Sequence, residues 1–325
     1  MIAITGGNGF VGSQVVERLL ELGYPVRCLL RPHSRLQWIE SLPLEIVRVD
    51  YADANSLEAA LKGCTAILHF GAAVKAPSEA AYFKANTAVT KALLEAAEKA
   101  CPDLSLFLFC SSQAALGPAS SLEPLTEAAQ PHPLTAYGKS KWAAEQQCHA
   151  FANRFPIAII RPSAVYGPRD RDIYLFFRTI KWGIQPSIGN LVRRFSLVHV
   201  ADIVQITERL LKNGVPGLRT YHVTDGAIHT WEEMAQTIAA VLGKRALRIT
   251  IPKWSVVALS HVFSAWASLF GKVAILNREK LEDLFQEFWL ISSQRATDEL
   301  GYRSQYSLRQ GVEMTVRWYR SMGWL

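Results

Sequence analysis

A tyrosine and a lysine stand four residues apart, at Tyr137 and Lys141, where a helical pattern begins. Side chains at this spacing lie on one face of a helix. A lysine ammonium beside a phenol stabilises the phenolate and so lowers the tyrosine pKa from its ordinary value of about 10. The pair therefore indicates a tyrosine that exchanges a proton with a substrate near neutral pH.

The spacing of the tyrosine and the lysine is not specific by itself, and the order of the motifs carries more information. A glycine-rich stretch opens the chain, and a buried apolar run later ends in the hydroxyls of Ser111 and Ser112. Tyr137 and Lys141 follow. A phosphate-binding loop, a strand-end serine and an acid–base pair in this order predict a dinucleotide-dependent enzyme.

The first residues of the chain predict a strand, a tight turn and a helix. Ile2–Ile4 is apolar, and the residues after Val11 have helical apolar spacing. The glycines fit both G-x-G-x-x-G and G-x-x-G-x-x-G, and they let a pyrophosphate approach the N–H groups of a helix N-terminus. The predicted cofactor-binding residues of this loop are Gly6, Gly7, Gly9, Phe10, Val11 and Gly12.

The end of the second predicted strand bears on the choice of dinucleotide. NAD sites usually offer an acidic residue there to the ribose 2′-hydroxyl. The run Cys28–Arg35 contains no acid, and a guanidinium suits the 2′-phosphate of NADP. We expect Arg31 and Arg35 to bind that phosphate, which favours NADP(H). In the alternative, NAD(H) is the cofactor and both arginines are solvated loop residues.

Further cofactor contacts are predicted where other strands end. Asp50 and Tyr51 follow the third strand, near the expected adenine position, and the small residues Gly71, Ala72 and Ala73 follow the fourth. Ordinary loop packing is the alternative interpretation for all five residues.

Strand and helix patterns alternate through the first half of the chain, which predicts an α/β fold with a doubly wound parallel sheet. The predicted strands are Val26–Leu30, Leu44–Val49, Ala66–Phe70, Leu104–Cys110 and Ala158–Ile160, and the predicted helices are Ser56–Lys62, with Ser56 as its N-cap, Tyr82–Ala100 and Ala136–Phe155.

Composition excludes several other classes of protein. Half of the 325 residues are hydrophobic and 19% are charged, which excludes global disorder. The net charge of +7 is spread without a basic block, so we expect no nucleic-acid partner. The five cysteines lack C-x-x-C spacing, and we expect free thiols and no metal site. No secretion signal precedes the first strand, which predicts a cytoplasmic location.

Together these motifs resemble the extended short-chain dehydrogenase/reductase family over nearly the full length. The resemblance implies a Rossmann domain followed by a smaller, mostly helical substrate domain. It also implies that Ser112, Tyr137 and Lys141 form a catalytic triad, with Ser112 preferred over Ser111 because it stands five residues before Gly117. The cofactor-binding residues that the resemblance adds are Asn86, Pro162, Ala164 and Val165, together with Tyr137 and Lys141.

The resemblance also divides the chain. Residues 1–168 are expected to form the NAD(P)-binding domain, with 196–228 returning to it, and residues 169–195 and 229–325 to bind the substrate. In the implied reaction, Ser112 holds the substrate oxygen, Tyr137 passes a proton, and Lys141 lowers the tyrosine pKa and binds the nicotinamide ribose.

Within the family, the chain is most similar to the dihydroflavonol-reductase and 3β-hydroxysteroid-dehydrogenase-like branch. This branch implies an oxidoreductase that interconverts a secondary alcohol and a ketone on a fairly apolar small molecule. The alternative is a nucleotide-sugar epimerase or dehydratase with bound NAD. Those enzymes carry an arginine two residues before the strand at Leu197, where this chain has Phe195, although Arg194 is adjacent. A cofactor-sensing or scaffold protein is a third hypothesis.

Three polar residues are expected to have structural roles. His199 and Asp202 lie at a strand–helix junction, with Asp202 as the predicted helix cap, and His69 is a buried strand-end residue.

Residues 254–271 contain no charged side chain. A helix there is expected to form a lid over an apolar pocket, a contact with a membrane surface, or a contact in a homodimer. A spanning helix is the remaining alternative.

Overall fold

The structure is a computed structural model that describes residues 1–189, 192–258 and 278–325. Its strands are β1 Ile2–Thr5, β2 Val26–Leu30, β3 Glu45–Arg48, β4 Ala66–His69, β5 Leu106–Cys110, β6 Ile157–Pro162, β7 Ala164–Tyr166, β8 Ile184–Ile188, β9 Arg194–Phe195, β10 Leu197–His199, β11 Leu218–Val223, β12 His229–Thr230, β13 Leu247–Ile251 and β14 Phe288–Trp289.

The helices are named in the same way: α1 Phe10–Glu21, α2 Ala54–Leu61, α3 Glu79–Tyr82, α4 Val89–Ala100, α5 Ala136–Ala150, α6 Tyr174–Lys181, α7 Val200–Asn213, α8 Trp231–Leu242, α9 Arg278–Phe285, α10 Gln294–Leu300 and α11 Leu308–Ser321. A π-helical turn, Phe83–Ala88, joins α3 to α4, and a 3₁₀ turn, Gln113–Ala115, follows β5.

Seven parallel strands form the main sheet in the order β11-β6-β5-β4-β1-β2-β3. Alternation along each strand feeds two cores. Ile2 and Ile4 face α1 and α7, whereas Ala3 faces the side covered by α2, α4 and α5. A sheet with helices on both faces is the doubly wound fold that the sequence predicts, and the prediction is confirmed.

A third apolar core lies beside the sheet. It is built by α6, α8 and α11 around buried aromatic residues, among them Tyr166, Phe177, Phe195 and Tyr319. This part of the described chain is mostly helical, as expected, and two short strands, β8 and β13, pair at its edge.

Two predicted helix caps are wrong. The carboxylate of Asp53, not the hydroxyl of Ser56, accepts the backbone N–H of Asn55 at the start of α2. At the start of α7 the cap is His199, and Asp202 lies inside the first turn. Its carboxylate instead accepts the Ser304 hydroxyl and the backbone N–H of Gln305, so it ties α7 to the distant segment before α11.

None of the helices in the described part of the chain has the length and apolar character needed to cross a membrane. Most of the predicted apolar helix at 254–271 lies outside the described residues, so its role stays a prediction.

Candidate active site

A cavity of about 760 Å³ lies at the carboxyl ends of the central strands. The chain reverses its direction of strand addition between β1 and β4, and open α/β sheets bind ligands at such a switch point. The sequence-predicted residues that line the cavity are Gly6, Gly9, Phe10, Val11, Gly12, Arg31, Arg35, Tyr51, Gly71, Ala72, Ser112, Tyr137, Pro162 and Val165. Six others do not line it: Gly7, Asp50, Ala73, Asn86, Lys141 and Ala164.

The glycine loop occupies one end of the cavity. Gly6 has a left-handed φ of +70°, and a Cβ on Gly12 would lie 2.3 Å from the Gly6 carbonyl oxygen. Gly9 caps α1 without a side-chain hydrogen bond, so no side chain competes for the N–H groups of the first helical turn. This arrangement fits a pyrophosphate. Gly7 serves packing instead, because a Cβ there would lie 2.7 Å from the Cys28 sulfur.

Two arginines mark the rim of the cavity after β2. The guanidinium of Arg48 donates to the carbonyls of Arg31 and Ser34, each at 2.9 Å, and the Asn8 amide donates to the Arg35 carbonyl, also at 2.9 Å. The backbone of this loop is therefore fixed, while the side chains of Arg31 and Arg35 are exposed. The charge that they present to the cavity is positive.

Three residues that were predicted to bind the cofactor form hydrogen bonds with backbone groups of the protein. The Tyr51 hydroxyl donates to the Leu29 carbonyl at 2.8 Å, and the Asp50 carboxylate closes a local turn by accepting the Ala52 N–H. The buried amide of Asn86 accepts the N–H of Ala73 at 2.7 Å and donates to the Ser140 hydroxyl at 2.9 Å. Asn86 thus holds the segment after β4 against α5.

The other end of the cavity carries the candidate acid–base residues. Ser112 and Tyr137 both line this end, where the Ser112 hydroxyl is near enough to the phenol to affect its pKa, and the Ser112 oxygen accepts the Ala114 N–H at 3.1 Å. The neighbouring Ser111 is buried and donates to Glu145, which forms a buried ion pair of 2.6 Å with Arg161. Both serines line the cavity, but their surroundings differ: Ser112 lies beside the tyrosine, and Ser111 belongs to a buried polar network.

Burial shifts the pKa values of Tyr137 and Lys141. It raises the pKa of Tyr137 above its ordinary value, although the Ser112 hydroxyl lowers that pKa in part. The Lys141 ammonium donates to the Cys110 carbonyl at 2.6 Å and lies 4.1 Å from the centre of the Phe109 ring. Burial lowers the pKa of Lys141 to about 8. The expected lowering of the tyrosine pKa by the lysine does not occur here, because the ammonium is directed at the Cys110 carbonyl at the end of β5.

Several cavity residues were not among the predicted site residues. They include Trp38 and the segment 169–173, which follows β7 and begins the region 169–195 that was expected to bind the substrate. Arg169 pairs with Glu17 of α1 at 2.6 Å, and Asp172 pairs with Lys75 at 2.6 Å. The segment therefore connects the first helix to the loop after β4. No periodic pattern or motif distinguishes it, apart from its position after Gly167-Pro168.

Two residues, one with a predicted structural role and one of uncertain alignment, lie in packed surroundings. His69 is buried between the hydroxyls of Thr5 and Thr90, as expected of a core residue. Phe195 is buried in the third core, with its ring centre 4.7 Å from that of Trp231. Phe195 therefore does not offer a contact to a ligand.

The fold and this cavity define a dinucleotide-binding protein of the Rossmann type. The sequence profile of the NAD dependent epimerase/dehydratase family matches residues 2–223, and the chain belongs to that family. The resemblance to extended short-chain dehydrogenases/reductases, an NAD(P)-dependent enzyme class, is thereby confirmed.

Relatives cover nearly the whole chain. It is 28% identical to the ceramide reductase of Caulobacter vibrioides, over 100% of this chain and 96% of that protein. It is 25% identical to a 3 beta-hydroxysteroid dehydrogenase/Delta 5-->4-isomerase of Mycobacterium tuberculosis, over 99% and 90% of the two chains. A solved structure of a dTDP-glucose 4,6-dehydratase from Streptomyces venezuelae, with NAD bound, has a TM-score of 0.79 at 25% identity and covers 100% of this chain and 98% of its own.

Proposed function

We propose that this protein is an NADP(H)-dependent oxidoreductase that interconverts a ketone and a secondary alcohol on a fairly apolar small molecule. The observation that carries the proposal is that Ser112 and Tyr137 line the same cavity as the glycine loop. A proton donor and an oxygen-binding hydroxyl at one end, with a dinucleotide loop at the other, is the arrangement that carbonyl reduction needs.

Each residue of the proposed triad has a separate task. Ser112 binds the substrate oxygen, since it lines the cavity beside Tyr137. Tyr137 donates a proton to that oxygen during reduction. Lys141 does not line the cavity of the free protein, so its proposed hydrogen bond to the nicotinamide ribose requires the ammonium to leave the Cys110 carbonyl. The bound dinucleotide supplies the hydride.

The raised pKa of Tyr137 determines which form of the tyrosine the free protein offers to a substrate. Burial keeps the proton on the phenol at neutral pH, so the tyrosine of the free protein is an acid rather than a base. A protonated tyrosine suits reduction of a ketone, whereas the concentrations of the substrates and of the two cofactor forms set the net direction.

The two rim arginines support NADP(H) as the cofactor. Arg31 and Arg35 line the cavity, and their loop is fixed by backbone hydrogen bonds from Arg48 and Asn8. A guanidinium binds a phosphate through two parallel hydrogen bonds, which the ribose hydroxyl of NAD does not offer. The NAD in the homologous dehydratase structure supports binding of a nicotinamide dinucleotide in general.

An apolar substrate is supported by the relatives and by Phe195. The names ceramide reductase and 3 beta-hydroxysteroid dehydrogenase describe enzymes of apolar molecules. Phe195 is buried against Trp231, so it does not take over the role of the arginine with which nucleotide-sugar enzymes bind a phosphate.

We extend the proposal to the domains: residues 169–195 and 229–325 bind the substrate. The cytoplasmic location and the homodimer stay predictions.

Replacing Tyr137 by Phe tests the reaction. The variant removes the proton donor and leaves the ring, so NADPH binding should persist while NADPH oxidation with aryl and long-chain alkyl ketones falls by about 10²-fold or more. Tyr82→Phe is the matched control, because its ring packs edge-on against Tyr137 at 6.1 Å. Turnover by Tyr137→Phe at the wild-type rate would refute the mechanism, and no turnover of any ketone by the wild type would refute the substrate class.

The alternative function is a nucleotide-sugar epimerase or dehydratase. The full-length structural match to a dTDP-glucose 4,6-dehydratase favours it. In that case the substrate would carry a diphosphate and Arg194 would be the residue to bind it. A binding measurement with a sugar nucleotide distinguishes the two functions.

A further inference from the structure

A two-stranded ribbon at the edge of the molecule has an apolar face directed outward. We call β8 and β13 together the strand ribbon; they pair in parallel, with Leu247 opposite Ile184 and Ile251 opposite Ile188. Alternation places six apolar side chains on one face: Ile184, Pro186, Ile188, Leu247, Ile249 and Ile251. Leu247 is 74% exposed, and Ile249 and Ile251 are also exposed.

The protein covers the polar face of the strand ribbon at β8, whereas Arg248 and Thr250 of β13 are exposed. Arg248 donates to the Ser187 hydroxyl at 3.1 Å and pairs with Glu232 of α8 at 3.5 Å. Gln185, which lies opposite Arg248, is buried. This is the reverse of the usual pattern in a water-soluble sheet, where the apolar face packs on the core. The outward apolar face therefore needs a functional explanation.

Two tryptophans flank this apolar face. Trp182, two residues before β8, is 63% exposed, and Trp254, three residues after β13, is 73% exposed. Because the strands are parallel, the two indoles stand at opposite ends of the ribbon. Exposed tryptophans beside apolar side chains are typical of surfaces that lie at the headgroup level of a membrane.

The two chain segments that contain the strand ribbon carry charges of a single sign, although Glu232 of the neighbouring α8 pairs with Arg248. Residues 174–189 and 243–258 contain six cationic side chains and no aspartate or glutamate; the cations are Arg178, Lys181, Lys244, Arg245, Arg248 and Lys253. Lys181, Lys244, Arg245 and Lys253 are exposed. A cationic rim around an apolar face complements a surface that is apolar below and negatively charged above.

We propose that the strand ribbon docks this protein on the surface of a membrane that contains anionic lipids. Leu247, Ile249 and the two tryptophans enter the interface between headgroups and acyl chains, and the exposed lysines and Arg245 contact the lipid phosphates. The proposal is independent of the cofactor and of the reaction.

Vesicle sedimentation of the full chain tests this docking surface. We expect binding to vesicles of phosphatidylcholine mixed with phosphatidylglycerol, weak binding to phosphatidylcholine alone, and loss of binding as salt is raised. Trp182→Ser with Trp254→Ser should weaken partitioning about tenfold or more. Lys244→Gln with Arg245→Gln should weaken it about fivefold for each charge removed.

Leu122→Ser is the control, because Leu122 is also exposed but lies in the loop after β5, away from the strand ribbon. It should bind vesicles like the wild type, and melting temperatures should show that all variants are folded. Equal binding of the wild type and both double variants would overturn the proposal. So would the absence of vesicle binding together with a dimer that the tryptophan substitutions dissociate, since a second copy would then be the partner.

Discussion

At the scale of single residues, the position of one proton decides what this site does. Tyr137 keeps its proton because the phenol is buried, and Ser112 is the hydroxyl next to it. The sequence predicts both residues and their order. It does not predict the direction in which Lys141 points, because the hydrogen bond to the Cys110 carbonyl depends on how α5 packs against the end of β5.

The cofactor preference also belongs to single residues. Arg31→Ala should weaken NADPH binding by roughly 10- to 100-fold, the value of a hydrogen bond to a charged group, and should change NADH binding little. Fluorescence titration with each dinucleotide measures the two dissociation constants. Arg320→Ala, an exposed arginine of α11, serves as the control for net charge. An equal loss for NADPH and NADH would contradict the phosphate-binding role.

At the scale of elements, the approach of α5 to the 3₁₀ turn after β5 brings Tyr137 to Ser112. Thr135 caps α5 by accepting the Gly138 N–H at 3.1 Å. A Cβ on Gly138 would lie 2.3 Å from the Ala114 carbonyl oxygen, so only glycine allows this distance between the two elements. Gly138 is therefore a positioning residue for the catalytic pair.

Gly138→Ala should separate α5 from the 3₁₀ turn. We expect a loss of about 1–3 kcal/mol in the free energy of unfolding, from forcing an extra carbon into a packed contact. Turnover should fall more than NADPH affinity, because the dinucleotide loop lies on other elements. Denaturant unfolding and steady-state kinetics measure the two effects. Lys139→Ala, exposed on the same helix, should change neither; wild-type stability and turnover in Gly138→Ala would exclude this role.

The elements of the first half of the chain are largely predictable from the sequence, whereas most strands and helices after β6 are not. Val26–Leu30 is confirmed residue for residue, and the other predicted strands differ only at their ends. Apolar runs bounded by turn residues determine such strands without long-range information. The predicted caps of α2 and α7 are wrong because several polar residues near the start of a helix compete for the same backbone N–H groups. The segment 169–173 is unpredictable for a different reason: its partners Glu17 and Lys75 are distant in sequence.

At the scale of the whole molecule, buried histidines make stability sensitive to acid. Burial lowers the pKa of His69 and His222 to about 3 and that of His199 to about 4. Below the ordinary histidine value of about 6.5, the unfolded chain binds protons that the folded chain does not. Each of the three therefore destabilises the fold as pH falls from about 6.5 toward 4. Asp170 has the opposite effect below pH 6. Burial raises its pKa to about 6, so the folded chain binds a proton there that the unfolded chain does not, and this offsets the destabilisation by one histidine.

A difference measurement isolates one histidine from these opposing groups. Between pH 6.5 and 4, the free energy of unfolding of the wild type should fall by roughly 1.4 kcal/mol per pH unit more than that of His222→Asn. Above pH 7 the two curves should run parallel. Urea unfolding at several pH values provides the comparison. Parallel curves through the acid range would show that His222 is protonated in the folded state.

The proposed function depends on whether the cavity binds an apolar ketone or a sugar nucleotide. The most direct measurement is the melting temperature of the NADPH-loaded protein, titrated with UDP-glucose. A ligand that binds only the folded state raises this temperature as its concentration exceeds its dissociation constant. We predict that NADPH itself stabilises the protein and that UDP-glucose adds nothing. A saturable further increase with UDP-glucose would contradict the proposed function and assign the site to nucleotide sugars.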